Sequence, residues 1–99
     1  MTARALAQAA DTVCRQATTR SGLVARLRTL RPPRAEQDLY SHWLSAERDA
    51  LALATAKTKP KTTLDPRVIL AIDEGKIAGY ARRLGADTCA SRAAGTLPP

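Results

Sequence analysis

The chain predicts an all-α fold: an up-down three-helix bundle, or four helices if the first breaks at Ser21-Gly22. Three observations predict it. Apolar residues recur at helical spacing in three separate stretches. Proline pairs and polar turn residues separate those stretches. Alanine is abundant, Phe is absent and β-branched runs are short, which favours helix over strand. The 99 residues suffice for one small domain. Residues 1–89 are expected to form it, with residues 90–99, which hold Gly95 and a closing Pro98-Pro99, as a flexible tail.

The first helical stretch is residues 2–30. Leu6, Ala10, Val13, Ala17, Val24 and Leu27 stand three, four or seven apart. Its weak point is Thr18-Thr19-Arg20-Ser21-Gly22, a run of poor helix formers. The second stretch, Pro33 to Ala56, organises the rest. Arg31-Pro32-Pro33 breaks the chain, and proline suits a first helical turn because its missing N–H had no partner there. Glu36 and Asp38 then sit at the positive end of the helix dipole. At 100° per residue, Leu39, Tyr40, Trp43, Leu44, Ala46, Ala50, Leu51, Leu53 and Ala54 cover one side. Such a stripe needs neighbouring helices to cover it.

Residues 57–65, with Lys57, Lys59, Pro60 and Lys61, read as a polar loop. Asp65-Pro66 is a helix start, with Asp as N-cap and Pro in the first turn. The third helix should run to about Leu84, and Gly85 is placed to end it in a left-handed conformation. Ile69, Leu70, Ile77, Tyr80, Ala81 and Leu84 form its broad apolar face, while Ala71, Gly75 and Gly79 form a narrow stripe of small residues.

Three pieces of the chain together resemble a known group. The pieces are Ala10-Asp11-Thr12-Val13-Cys14-Arg15, Leu27-Arg28-Thr29-Leu30-Arg31-Pro32-Pro33 and Ala81-Arg82-Arg83-Leu84-Gly85-Ala86-Asp87-Thr88-Cys89, and the resemblance covers residues 9–90. They resemble the opening, the proline-ended helix and the closing helix of small helical domains in uncharacterised, predicted exported or envelope proteins of actinobacteria. The resemblance implies an all-helical domain with a cysteine near each end, which a disulfide could join, and implies no activity. Two departures stand out: no export signal is visible, and the stretch from Cys14 to Pro32 is shorter than in that group.

A Cys14–Cys89 bridge would close a loop of about 76 residues. With residues 2–30 as one straight helix, Cys14 stands about 24 Å above the Arg31 turn. Residues 86–89 span at most about 14 Å. A bridge and an unbroken first helix therefore exclude each other, and the alternative is two buried thiols.

Charges interrupt the apolar pattern at Arg20, Glu47 and Asp73. In an unbroken bundle these fall within about two turns of one height, and form a partly buried cluster that fixes register if they pair. The alternative has each charge reaching the bundle edge along its aliphatic stem.

The net charge is +7, with its excess in residues 1–30, where five Arg face one Asp. Arg4, Arg15 and Arg26, with Lys57, Lys59 and Lys61, are the candidate anion contacts. No aromatic residues alternate with them to stack on bases. Asp38, His42, Ser45 and Asp49 share one face of the second helix, but a solvated face has no pocket or oxyanion hole for hydrolysis. One His and two Cys on separate elements make no metal site, and no glycine loop is built for phosphate. No cofactor is expected. No window is apolar enough for a transmembrane segment, and Met1-Thr2-Ala3-Arg4-Ala5-Leu6 lacks a signal-peptide core.

The functional expectation is a non-catalytic helical domain with a structural or protein-interaction role, through an unknown protein partner or self-association. A basic nucleic-acid-binding accessory protein is the alternative. A missing upstream signal would place the chain at the cell envelope or outside the cell; otherwise it is cytoplasmic.

Overall fold

A computed structural model describes residues 1–55, 66–93 and 97–99. All regular structure among them is helical. α1 spans Ala3–Gln16, α2 Arg20–Leu27, α3 Gln37–Thr55, α4 Pro66–Leu84 and α5 Asp87–Ala93, with a 3₁₀ turn at Arg34–Glu36 before α3.

α1 starts at Thr2, whose hydroxyl accepts from the Ala5 amide at 3.0 Å. Its inner face is Leu6, Ala10, Val13 and Cys14. The chain then turns extended at Ala17 and restarts at Thr19, whose Oγ1 accepts from Gly22 N at 3.1 Å. A Cβ on Gly22 would lie only 3.0 Å from that oxygen, so glycine makes room for the cap. The break anticipated at Ser21-Gly22 therefore falls earlier, at Ala17–Thr19, and Ser21 and Gly22 form the first turn of α2.

α2 ends in a turn before Pro32-Pro33. The Tyr40 hydroxyl donates to the Leu27 carbonyl there, joining the end of α2 to α3. Tyr40 also meets Trp43 edge-on, with ring centroids 5.7 Å apart. Trp43, Leu6, Leu27 and Ile77 are the largest fully enclosed side chains, so the core lies where α1, α2 and α4 converge on the middle of α3. Of the stripe expected on α3, Tyr40, Trp43, Ala46 and Ala50 are buried, Leu39, Leu44, Leu51 and Leu53 are half-buried, and Ala54 is exposed.

α4 ends as expected at Gly85, with φ +81°. The Gly85 amide donates to the Arg82 carbonyl at 3.0 Å and the Ala86 amide to Ala81 at 2.9 Å, the paired bonds of a Schellman end. This reversal launches α5, a further helix after Gly85 that the count of three or four helices did not include. Of residues 90–99, expected as a flexible tail, several described ones make contacts with the fold. Ala90 is buried in α5, Leu97 packs on the core, and the Pro98 and Pro99 carbonyls accept from the amides of Arg20 and Ser21 at 2.8 and 3.1 Å. Those amides lie in the first turn of α2, where no intrahelical acceptor exists.

Candidate functional site: a buried ion cluster beside a disulfide

Cys14 of α1 and Cys89 of α5 are joined in a disulfide, with Cα atoms 5.3 Å apart. The break after α1 and the bridge occur together, because only a folded-back α1 brings Cys14 to the α5 level. Two further contacts hold this junction. The Asp11 carboxylate accepts from the Cys89 amide at 3.3 Å, so a side chain of α1 caps the N-terminus of α5. Arg92 of α5 donates to the carbonyls of Cys14, Arg15 (3.1 Å) and Ala17 (3.3 Å), the unpaired carbonyls that end α1.

Next to the bridge lies the charge cluster. Arg20 is 5% exposed and Glu47 3%. Arg20 Nη1 donates to Glu47 Oε2 at 3.2 Å, and Nη2 donates to Glu74 Oε1. The third member is thus Glu74, not Asp73. On α4, Glu74 stands three and four residues before buried Ile77 and Ala78, which turns it to the inner face. Asp73, one step round the helix, sits at the edge. Its carboxyl is raised by partial burial and by Asp49, with Lys76 and Arg20 pulling the other way.

The cluster is short of positive charge: one guanidinium serves two enclosed carboxylates. Burial, the largest cause, pushes Glu47 up to about 7; Glu74 adds to the rise, and Arg20 opposes it. The Trp43 indole N–H pulls Glu47 in the same downward direction as Arg20, although it lacks a hydrogen bond of good geometry. Glu74 Oε2 is also buried without a hydrogen-bond partner. Burial likewise raises the Tyr40 hydroxyl above its ordinary range.

Two spaces adjoin the cluster. A cavity of about 10 Å³, lined by Cys14, Arg20, Leu23, Glu47, Cys89, Arg92 and Leu97, has room for no more than a single water. An open groove of about 480 Å³ runs over Arg20 and Glu74 between Ala54, Leu70 and the Leu97–Pro99 segment.

The remaining sequence-derived residues are scattered. Arg4, Arg15 and Arg26 are exposed; Arg15 donates to Thr12 Oγ1 at 3.2 Å and Arg26 to Gln16 Oε1 at 2.8 Å, which brings Arg26 toward the end of α1. Lys57, Lys59 and Lys61 lie outside the described residues. Asp38, His42, Ser45 and Asp49 are all exposed, and the His42 ring stacks on Tyr80 with centroids 6.0 Å apart. Among the described residues, no three His, Cys, Asp or Glu side chains are grouped to hold a metal ion. Nor is any helix there long and apolar enough to cross a membrane. Sequence reading missed Arg92 and Asp11; both act on backbone groups of another helix, and one-dimensional spacing carries no signal for that.

No known protein family, curated protein or solved structure matches this chain.

Proposed function

We propose that this chain is a non-catalytic, disulfide-stapled helical module that presents the outer side of α4 to a protein partner. The observation that carries the reading is the contrast between the two sides of the domain. The inward charges are engaged with one another, while Val68 and Ile72 on α4 stand 47% and 48% exposed. Gly75 and Gly79 extend the same side at i, i+4, i+7 and i+11 spacing, and a Cβ on either would meet no atom within 4 Å. Among the described residues nothing requires glycine there, although each weakens the helix by roughly 0.5–1 kcal/mol relative to alanine. A bridge of this kind persists in oxidising compartments, which supports a place at the cell envelope.

The test is a photo-crosslinking residue placed at position 72, with a control at exposed Arg4. Saturable adducts from position 72 alone are expected. Equal labelling from both positions, or none from either, overturns the reading.

A second reading, nucleic-acid binding, is favoured by one feature. Arg28 and Arg31 line an open groove of about 590 Å³ with Thr29, Gln37 and Ser41. Phosphate contacts would make retention on duplex DNA fall by orders of magnitude between low and moderate salt. No retention at low salt removes this reading.

A further inference from the structure

We propose that the Arg20–Glu47–Glu74 cluster is a proton-operated lock on the C-terminal strap, Leu97–Pro99, which closes over it when the cluster holds a proton and lifts when that proton leaves. The inference does not depend on the docking surface.

The geometry begins with the strap. Leu97 lines both the small cavity beside Arg20 and Glu47 and the groove over Glu74. Pro98 and Pro99 hold the Arg20 and Ser21 amides through their carbonyls. Arg20 is therefore gripped twice, by the strap at its backbone and by two carboxylates at its guanidinium. Among the described residues, every other cover of the cluster belongs to a helix with its own ladder of hydrogen bonds. The strap has two backbone bonds and one apolar anchor, so it is the cover that opens at least cost.

Charge supplies the drive. Among the described residues, the groups around the site are Arg20 from α2, Glu47 from α3, Glu74 from α4 and Arg92 from α5, which lines the small cavity while bonded to the α1 carbonyls. Asp49 on α3 and Asp73 and Lys76 on α4 lie at the edge; Asp49 raises the Asp73 carboxyl, and Lys76 and Arg20 lower it. With the buried Glu47 carboxyl protonated, the Arg20 guanidinium and the Glu74 carboxylate balance. Loss of that proton leaves two carboxylates on one guanidinium, with Arg92 committed to the α1 carbonyls and Glu74 Oε2 unpartnered, and water reaches the cluster by displacing the strap. The raised carboxyl places this event near neutrality, within reach of ordinary shifts between compartments.

Amide hydrogen exchange on the oxidised full chain tests it. If Glu47 regains ordinary acidity when wetted, linkage makes the protection of the Arg20 and Ser21 amides fall about tenfold from about pH 6 to about pH 8.5, after correction for the chemical rate. Amides at the centre of α3, which exchange through global unfolding, should stay far better protected than these two at every pH. Glu74→Gln, on the more accessible partner, removes the pH dependence and keeps the strap closed; Glu47→Gln should do the same. Trp43 is the chain's sole tryptophan, and its fluorescence should titrate in step in the wild type and stay flat in Glu74→Gln. Wild-type protection constant within twofold across that range overturns the proposal. So does a Glu74→Gln profile matching the wild type. If Glu47→Gln does not fold, the wild type and Glu74→Gln still decide.

Discussion

Removing the disulfide, as Cys14→Ala/Cys89→Ala, perturbs the junction on which the most elements depend. The bridge joins positions 75 residues apart. In the loop-closure treatment, a loop of that length restricts the unfolded chain by about 15 cal/mol/K, or about 4.5 kcal/mol at 25 °C. A domain of this size has roughly 5–15 kcal/mol in total, so the bridge separates a stable fold from a marginal one. Because about 1 kcal/mol moves the midpoint of a domain this small by roughly 4–8 °C, the double variant should melt about 20–35 °C lower. Circular dichroism melts of the oxidised wild type, the dithiol-reduced wild type and the double variant make the measurement. The urea slope should also steepen, since an unbridged chain exposes more surface on unfolding. A midpoint drop under about 5 °C with an unchanged slope would refute the reasoning. It would mean that Arg92, Asp11 and the packing of Ala86 and Ala90 already hold α5 to α1 without the bridge.

Arg20→Met leaves two enclosed carboxylates with no counter-charge and should cost about 3–5 kcal/mol at neutral pH, whereas Arg20→Met with Glu47→Met and Glu74→Gln should recover most of it; urea denaturation measures both. Global stability should also depend on pH. The Glu47 carboxyl is raised in the folded state, to about 7, so its contribution is fully present below the unfolded carboxyl range and is lost as pH rises through about 7. The loss is at most on the order of 3 kcal/mol, and a flat urea midpoint from about pH 5 to about pH 8 would contradict it. The glycines should split. Gly75→Ala should raise stability by roughly 0.5–1 kcal/mol, because its Cβ enters open space on a helix. Gly85→Ala should lower it by about 1–2 kcal/mol, because φ is +81° there while the new methyl would meet only Ala7 Cβ at an ordinary 3.7 Å. Melts of both variants that move in the same direction would show that backbone conformation is not what distinguishes the two sites.

The amino-acid sequence by itself determined the helical class, the Trp43-centred stripe of α3, the Pro66 and Gly85 limits of α4, and that Arg20 and Glu47 interrupt apolar faces, without deciding whether they are buried. All are local properties: side-chain period, the missing proline N–H, and a positive φ that glycine takes most readily. It also carried a conditional, that a Cys14–Cys89 bridge requires a broken first helix, without saying which branch holds. Tertiary structure decided that, by setting Thr19 as a cap over Gly22 and folding α1 back. It also chose Glu74 over Asp73, since a 100° step on α4 has no meaning until the facing helix is in place. The Asp11 and Arg92 contacts and the Leu97–Pro99 strap were settled at the same level. Each satisfies backbone groups left open at the end of another helix, and those groups become neighbours only once the core of Leu6, Leu27, Trp43 and Ile77 has drawn the helices together.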